Sequence, residues 1–326
     1  MSIFLDFDGT ITTEDTVTHL ANFALRFQSE RNITRDSTTQ AGDVAAIPLP
    51  EGHEKEVNAN EGNSSSLSSR WDDVVHAYIS DYKSHLSSYT PGADHRVCAD
   101  DEIAFLRSQK HVETRSLRRI NACALFRGIS REAFRAAGRE LVRDGTVRLR
   151  PGFAAYVRRA LEKGWRVNVV SVNWSAAFIE GACGFDEGEI CVFANEVREH
   201  DGVVLGPGVL AGDALLVDER GEEEEEEDAQ VGRNLTNSCD KRDAVREVLR
   251  MHGHLGLPFY YFGDSTTDME CLLEAERGVA IADDEDSTLI QTLRRIGKKV
   301  PHVRDAEEGE ELVWASNFEE IIGDHV

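Results

Sequence analysis

The segment IFLDFDGT, residues 3–10, runs three apolar residues straight into two aspartates, Asp6 and Asp8, followed by Gly9 and Thr10. A strand buried on both faces reads as a continuous apolar run. Ending it on two neighbouring carboxylates is costly. Like charges that close repel, and one of them takes up a proton unless a cation sits between them. The segment therefore asks for a cation and for a chemistry that uses paired carboxylates.

From Pro151 onward the chain alternates strand-like and helix-like stretches: a helix at 151–163, a strand at 165–172, a helix opening at Asn173, strands near 190–194, 203–205 and 214–217, a helix at 240–253, a strand at 258–262, a helix at 267–276, the strand GVAIA and a helix at 286–296. This alternation predicts an α/β fold, a Rossmann-like, mainly parallel sheet flanked by helices. Ligands of such sheets bind outside the carboxyl ends of the strands. Residues 15–147 read differently. Val17, Leu20, Ala21, Ala24 and Leu25 recur at helical spacing, as do Trp71, Val74, Val75, Tyr78, Ile79, Tyr82 and Leu86. Further helices are expected at 99–125 and from the N-cap Ser130 to about 144. The expected organisation is a core of residues 1–14 and 148–326 with an inserted all-helical cap domain at 15–147. Within the cap, residues 29–69 are rich in Ser, Asn, Gly and Glu and are expected to be a disordered insertion. Residues 220–233 hold an unbroken acidic run, Glu222 to Asp228, expected to be a solvated loop.

The 326 residues carry 60 acidic and 36 basic side chains, a formal net charge of -24. That balance argues against nucleic acid and anionic membranes as partners, because phosphate backbones select clustered Lys and Arg. No apolar run is long enough to span a bilayer and no leader pattern precedes Ile3. Six cysteines without a C-x-x-C pair read as reduced thiols of a cytoplasmic protein.

Four motifs fall at strand ends or helix starts of the same sheet: Asp6 with Asp8; Ser171 with Asn173 at the mouth of a helix; Lys241 after Asp240; and the run YFGDSTTDME, which supplies Asp264 and Asp268. Alone, each has an ordinary reading as a loop carboxylate, a strand-end hydroxyl, a solvated lysine or a helix cap. Together they fit phosphoryl transfer through a carboxylate. Asp6 can attack phosphorus and form an aspartyl-phosphate. Asp8 can protonate the leaving alcohol and then activate water. A hard cation, Mg2+, takes oxygen ligands from Asp6, Asp264 and the Asp8 backbone carbonyl. Ser171 and helix-start amides near Asn173 can hold phosphate oxygens, and Lys241 adds positive charge.

The pieces DFDGT, SVNWS, CDKRDAV and GDSTTDMECL resemble the haloacid dehalogenase superfamily of phosphatases. DFDGTIT followed by Asp15-Thr16, with helices between the first two motifs, is similar to its phosphoserine phosphatase branch; the start is also similar to the phosphatase of methionine salvage. The resemblance implies a helical cap and magnesium-dependent hydrolysis of a small phosphorylated metabolite. It implies Asp6 as nucleophile, Asp8 as acid/base, Ser171 and Lys241 as phosphate ligands, Asp264 as metal ligand and Asp268 as a residue orienting the metal site or Lys241. Two departures bear on the substrate: the long Asp6–Ser171 separation, and Trp174 in place of a small glycine-rich turn. Substrate selection is expected in the cap and at residues such as Glu14, Asp15 and Arg127. Two other readings remain: a non-catalytic phosphate-binding or regulatory protein, and a phosphomutase or other phosphotransferase.

Overall fold

The computed structural model describes residues 1–40, 66–210 and 234–322. Six parallel strands form one sheet: β1 (Ser2–Leu5), β2 (Arg166–Val170), β3 (Ile190–Phe193), β6 (Phe259–Gly263), β7 (Arg277–Ile281) and β8 (Leu312–Ala315), in the order β3-β2-β1-β6-β7-β8. A separate hairpin pairs β4 (Glu196–Val197) with β5 (Val204–Leu205). β1 is central, with Leu5 in register with Val169 of β2 and with Phe262 of β6. Its four residues are all buried, as a strand covered on both faces requires. Ile3 and Leu5 face one apolar core and Phe4 the other. The strand-helix alternation is thus borne out as a parallel α/β sheet. β8 and the short helix after it were not anticipated, because LVWA is brief and follows an acidic loop.

Among the described residues, five α-helices lie between β1 and β2 apart from the one entering β2: α1 (Val17–Gln40), α2 (Leu67–Ser88), α3 (Ala99–Ser108), α4 (Lys110–Cys123) and α5 (Arg131–Arg143). Then come α6 (Phe153–Glu162), α7 (Ala176–Cys183), α8 (Ser238–Met251), α9 (Met269–Glu274), α10 (Thr288–Arg295) and α11 (Glu319–Ile322). The single helix expected over 99–125 is broken at Gln109. The Ser108 hydroxyl donates to the Phe105 carbonyl at 2.6 Å, taking up an acceptor of the helix ladder and turning the chain.

The expectation of disorder across 29–69 is corrected at its edges. α1 continues to Gln40 and α2 starts at Leu67 behind the N-cap Ser66. Gln28 explains part of the continuation: its Nε2 donates to the Leu125 and Arg127 carbonyls at 3.1 and 2.7 Å, clamping α1 to the turn after α4. Residues 41–65, the strand expected at 214–217 and the acidic loop 220–233 lie outside the described residues.

α5 fits closely on α7. A Cβ on Gly138 would meet the Phe178 carbonyl at 2.2 Å, and one on Gly181 would meet the Arg135 carbonyl at 2.0 Å. Three ion pairs join α3 and α4 to the sheet-covering helices: Arg107 to Glu270 (2.5 Å), Lys110 to Asp240 (2.6 Å) and Arg295 to Glu102 (2.8 Å).

Candidate active site

The sheet register assembles the site. β1 and β6 are neighbours, and the Asp6 amide extends their ladder by donating to the Phe262 carbonyl at 2.9 Å. The chain turns immediately after each strand, so the carboxylates following them meet at the carboxyl edge. One oxygen from each of Asp6, Asp264 and Asp268 lies within 4.8 Å of the others. Two glycines make this approach possible. Gly9 has φ +77°, and a Cβ there would lie 2.2 Å from Asp264 Oδ2; a Cβ on Gly263 would lie 2.3 Å from Asp268 Cγ.

Lys241, fully buried on the first turn of α8, stands between two of these carboxylates: Nζ donates to Asp268 Oδ1 at 2.7 Å and forms an ion pair with Asp6 Oδ1 at 2.8 Å. The angle of the second contact does not make a hydrogen bond, so Asp6 Oδ1 is buried with no hydrogen-bond partner. Tyr261 OH also donates to Asp268 Oδ1 at 2.7 Å, while Ser265 supplies its amide and hydroxyl to Oδ2 at 3.2 Å. Asp268 is thereby fixed on both oxygens. Thr10 Oγ1 donates to Asp264 Oδ1 at 2.9 Å.

The electrostatics follow from three carboxylates sharing one ammonium. Burial and then the charge of Asp268 hold the Asp6 carboxyl well above its ordinary value. The same two causes push Asp264 up to about 7. Burial works against the Lys241 charge, but Asp268 and Asp6 outweigh it and raise the ammonium. A second cation would relieve the remaining repulsion. The donors are all oxygen and the cluster is small. These residues fit a hard divalent ion.

Asp8 stands apart from that cluster. Its Oδ1 accepts the Thr16 amide and hydroxyl at 2.7 and 2.6 Å, and its Oδ2 accepts Asn173 Nδ2 at 2.8 Å. Burial, then the charge of Asp15, raises its carboxyl despite these bonds. Ser171 is fully buried after β2; its Oγ accepts the Asn173 amide at 3.1 Å. The seven residues expected to carry the chemistry therefore fall into two groups, Asp6–Lys241–Asp268 with Asp264, and Asp8–Asn173–Ser171.

A model of the haloacid dehalogenase-like hydrolase family matches residues 89–273, more than half of the chain. The chain belongs to the haloacid dehalogenase-like hydrolases. The match includes Ser171, Lys241, Asp264 and Asp268 and begins beyond Asp6 and Asp8. Among solved structures, a phosphoserine phosphohydrolase-like protein from Francisella tularensis subsp. tularensis SCHU S4 aligns over 99% of this chain and 98% of its own, at 12% identity and a TM-score of 0.44. A phospho-aspartyl intermediate analogue of phosphoserine phosphatase aligns over 98% and 96%, at 12% identity and 0.44. A protein of unknown function from Bordetella pertussis Tohama I aligns over 90% and 94%, at 17% identity and 0.45. No curated protein matches the chain by sequence.

Three residues of this hydrolase that sequence reading missed support the site. The buried Arg150 guanidinium donates twice to the Gly9 carbonyl, at 3.0 and 2.9 Å, and to the Ser316 carbonyl at 3.0 Å, holding the turn after β1. Asn195 Nδ2 lies within hydrogen-bonding distance of the Val172, Asn173 and Leu235 carbonyls, tying the loop after β2 to the approach to α8. Thr16 holds Asp8. Only the Asp15-Thr16 pair beside the first motif gave any sequence signal for these.

Of the residues expected to select substrate, Glu14 pairs with Arg148 at 2.9 Å on the surface. The Arg127 carbonyl receives the α1 clamp. Only Asp15 lines a cavity of about 410 Å³, between α1, α2, α4 and the loops after β2 and β3. Trp174 lines it too.

Proposed function

We propose that this hydrolase is a magnesium-dependent phosphatase acting on a small phosphomonoester through an aspartyl-phosphate. The observation that carries the reading is Asp6 Oδ1: buried, without a hydrogen bond, beside Lys241 and within a three-carboxylate cluster.

In this reading Asp6 attacks phosphorus along the line of the leaving alcohol. Lys241, positioned by Asp268, places its ammonium against a phosphoryl oxygen, offsetting charge in the transition state. The Ser171 hydroxyl and the nearby backbone amides hold other phosphoryl oxygens. Asp8, with its carboxyl raised by burial, gives its proton to the leaving alcohol and takes one from the water that cleaves the intermediate. Thr16 and Asn173 keep it on the leaving-group side. Asp6, Asp264 and the Asp8 carbonyl would hold Mg2+, whose positive charge lets an anionic phosphate approach the carboxylates. The helical stretch 15–147 serves as the cap over the alcohol.

The test is hydrolysis of p-nitrophenyl phosphate with and without Mg2+, in the parent and in Asp6→Asn. Metal-dependent turnover lost by more than 10³-fold in a folded variant supports the reading, because an amide is a poor nucleophile. No turnover in the parent would favour a non-catalytic phosphate-binding protein.

A further inference from the structure

The cavity between α1, α2 and α4 has a composition that narrows the alcohol. It adjoins the acid/base directly in sequence: Asp15 precedes Thr16, and Val172 and Trp174 flank Asn173, the two residues that hold Asp8. Asp8 is not itself among the lining residues, so its link to the cavity runs through these chain neighbours, and the alcohol side of the site is assigned to this space as part of the proposal below. At about 410 Å³ the cavity is of small-molecule size.

Its walls are aromatic and aliphatic. Trp71 of α2 and Trp174 meet edge to face, with ring centroids 6.1 Å apart and planes at 83°, forming a corner. Tyr78 lies two helical turns further on, and its hydroxyl donates to Glu113 Oε1 of α4 at 3.0 Å. Charge in the cavity is of one sign: Asp15 and Glu113 line it, and among the described residues no lysine, arginine or histidine does. A leaving group bearing a carboxylate would find two like charges there and no partner. Desolvating it would cost several kcal/mol without return, on the order of that for any unpaired buried ion. Indole and phenol rings with an adjacent carboxylate instead suit a cation, through the negative face of the rings and direct charge pairing.

We propose that the cavity selects phosphomonoesters whose alcohol carries an ammonium group on an apolar body. The proposal rests on the phosphatase reading for its chemistry, and on the cavity alone for its selectivity. In the step, the phosphorus–oxygen bond to the alcohol breaks as the Asp6–phosphorus bond forms. The alcohol leaves with the proton from Asp8 and keeps its ammonium charge throughout.

The test uses a matched pair, phosphocholine and 3,3-dimethylbutyl phosphate, which differ in charge and hardly in shape, with O-phosphoserine as the carboxylate-bearing comparison and p-nitrophenyl phosphate as a neutral one. In the parent, kcat/KM for phosphocholine should exceed that for each of the other alkyl esters at least tenfold. Glu113→Gln should reduce the ratio of phosphocholine to 3,3-dimethylbutyl phosphate at least fivefold. Equal rates for the matched pair, preference for O-phosphoserine, or a ratio that Glu113→Gln leaves unmoved overturns the proposal. If p-nitrophenyl phosphate is not hydrolysed at all, the phosphatase reading fails separately. Choline titration followed by tryptophan fluorescence then decides the cavity. Saturable quenching whose midpoint rises at least fivefold in Glu113→Gln, which keeps both cavity tryptophans, upholds the cation site, and a flat titration in the parent or an unmoved midpoint removes it.

Discussion

Glu270→Gln isolates one carboxylate that joins the helical insert to the sheet domain. Glu270 is 2% exposed and accepts four hydrogen bonds: Arg107 Nε and Ser238 Oγ on Oε1 at 3.1 and 2.9 Å, and Arg107 Nη2 and Arg242 Nη1 on Oε2 at 2.5 and 2.9 Å. Glutamine can keep the Oε1 pair but turns an amide toward the two guanidinium donors. Two charge-assisted bonds are lost, at about 1.5 kcal/mol each at the lower end for charged partners. Arg107 is 44% exposed and recovers part of its loss in water, whereas Arg242 is 17% exposed and recovers less. The net cost is about 2 kcal/mol, and at about 2 °C per kcal/mol for a chain of this size Tm falls by about 4 °C. Burial opposes the Glu270 charge, but the bonds from Arg107 and Ser238 outweigh it and hold the carboxyl below its ordinary value of 4.5. A depressed carboxyl stabilises the fold above the unfolded-state value and loses that contribution as pH falls through the folded value. Urea unfolding of parent and variant at pH 7.5, 5.5 and 4.0 should show a constant gap at the first two and a narrowing gap at the third. A gap absent at pH 7.5, or one that widens on acidification, would refute the reasoning.

Asp264→Ala should shift the Mg2+ requirement of p-nitrophenyl phosphate hydrolysis upward at least tenfold; a titration overlaying the parent removes Asp264 from the metal site. Gly9→Ala forces a side chain into a left-handed turn at about 1–2 kcal/mol and against Asp264. It should lower both Tm and activity, and unchanged activity would mean that the turn is not tied to the site. Lys241→Met leaves Asp6 and Asp268 buried without their shared cation, so a loss of about 3–5 kcal/mol is expected by calorimetry. Making the same change in Asp268→Asn should recover part of it, and a fully additive double variant would deny the coupling.

The strand ends were legible because their chemistry is local. Apolar runs stopping at Asp6, Ser171 and Asp264 declare both a buried strand and a functional terminus. Lys241 was legible from its place opening a helix. Arg150 and Asn195 were not, because each acts on backbone carbonyls far away in sequence, and an arginine or asparagine before a turn looks like any surface residue. The break at Gln109 was hidden for a related reason: the apolar spacing runs on across it, and a single serine hydroxyl redirects the chain. Trp174 looked like a departure at the phosphate turn; its meaning depends on Trp71, which the fold brings up from another helix.

The position of β1 bears on how the protein comes off the ribosome. β1 is made before both of its neighbours, β2, beginning at Arg166, and β6, beginning at Phe259. At about 5–20 residues per second, roughly 250 residues of synthesis leave one edge of a mostly apolar strand waiting for on the order of ten to fifty seconds. During that time it is an open template for pairing with another nascent chain. Expression yield should therefore depend on translation speed and on chaperones that shelter extended apolar segments. A circular permutant that opens ahead of Phe259 would bring β6 and β1 out together and shorten the wait to seconds.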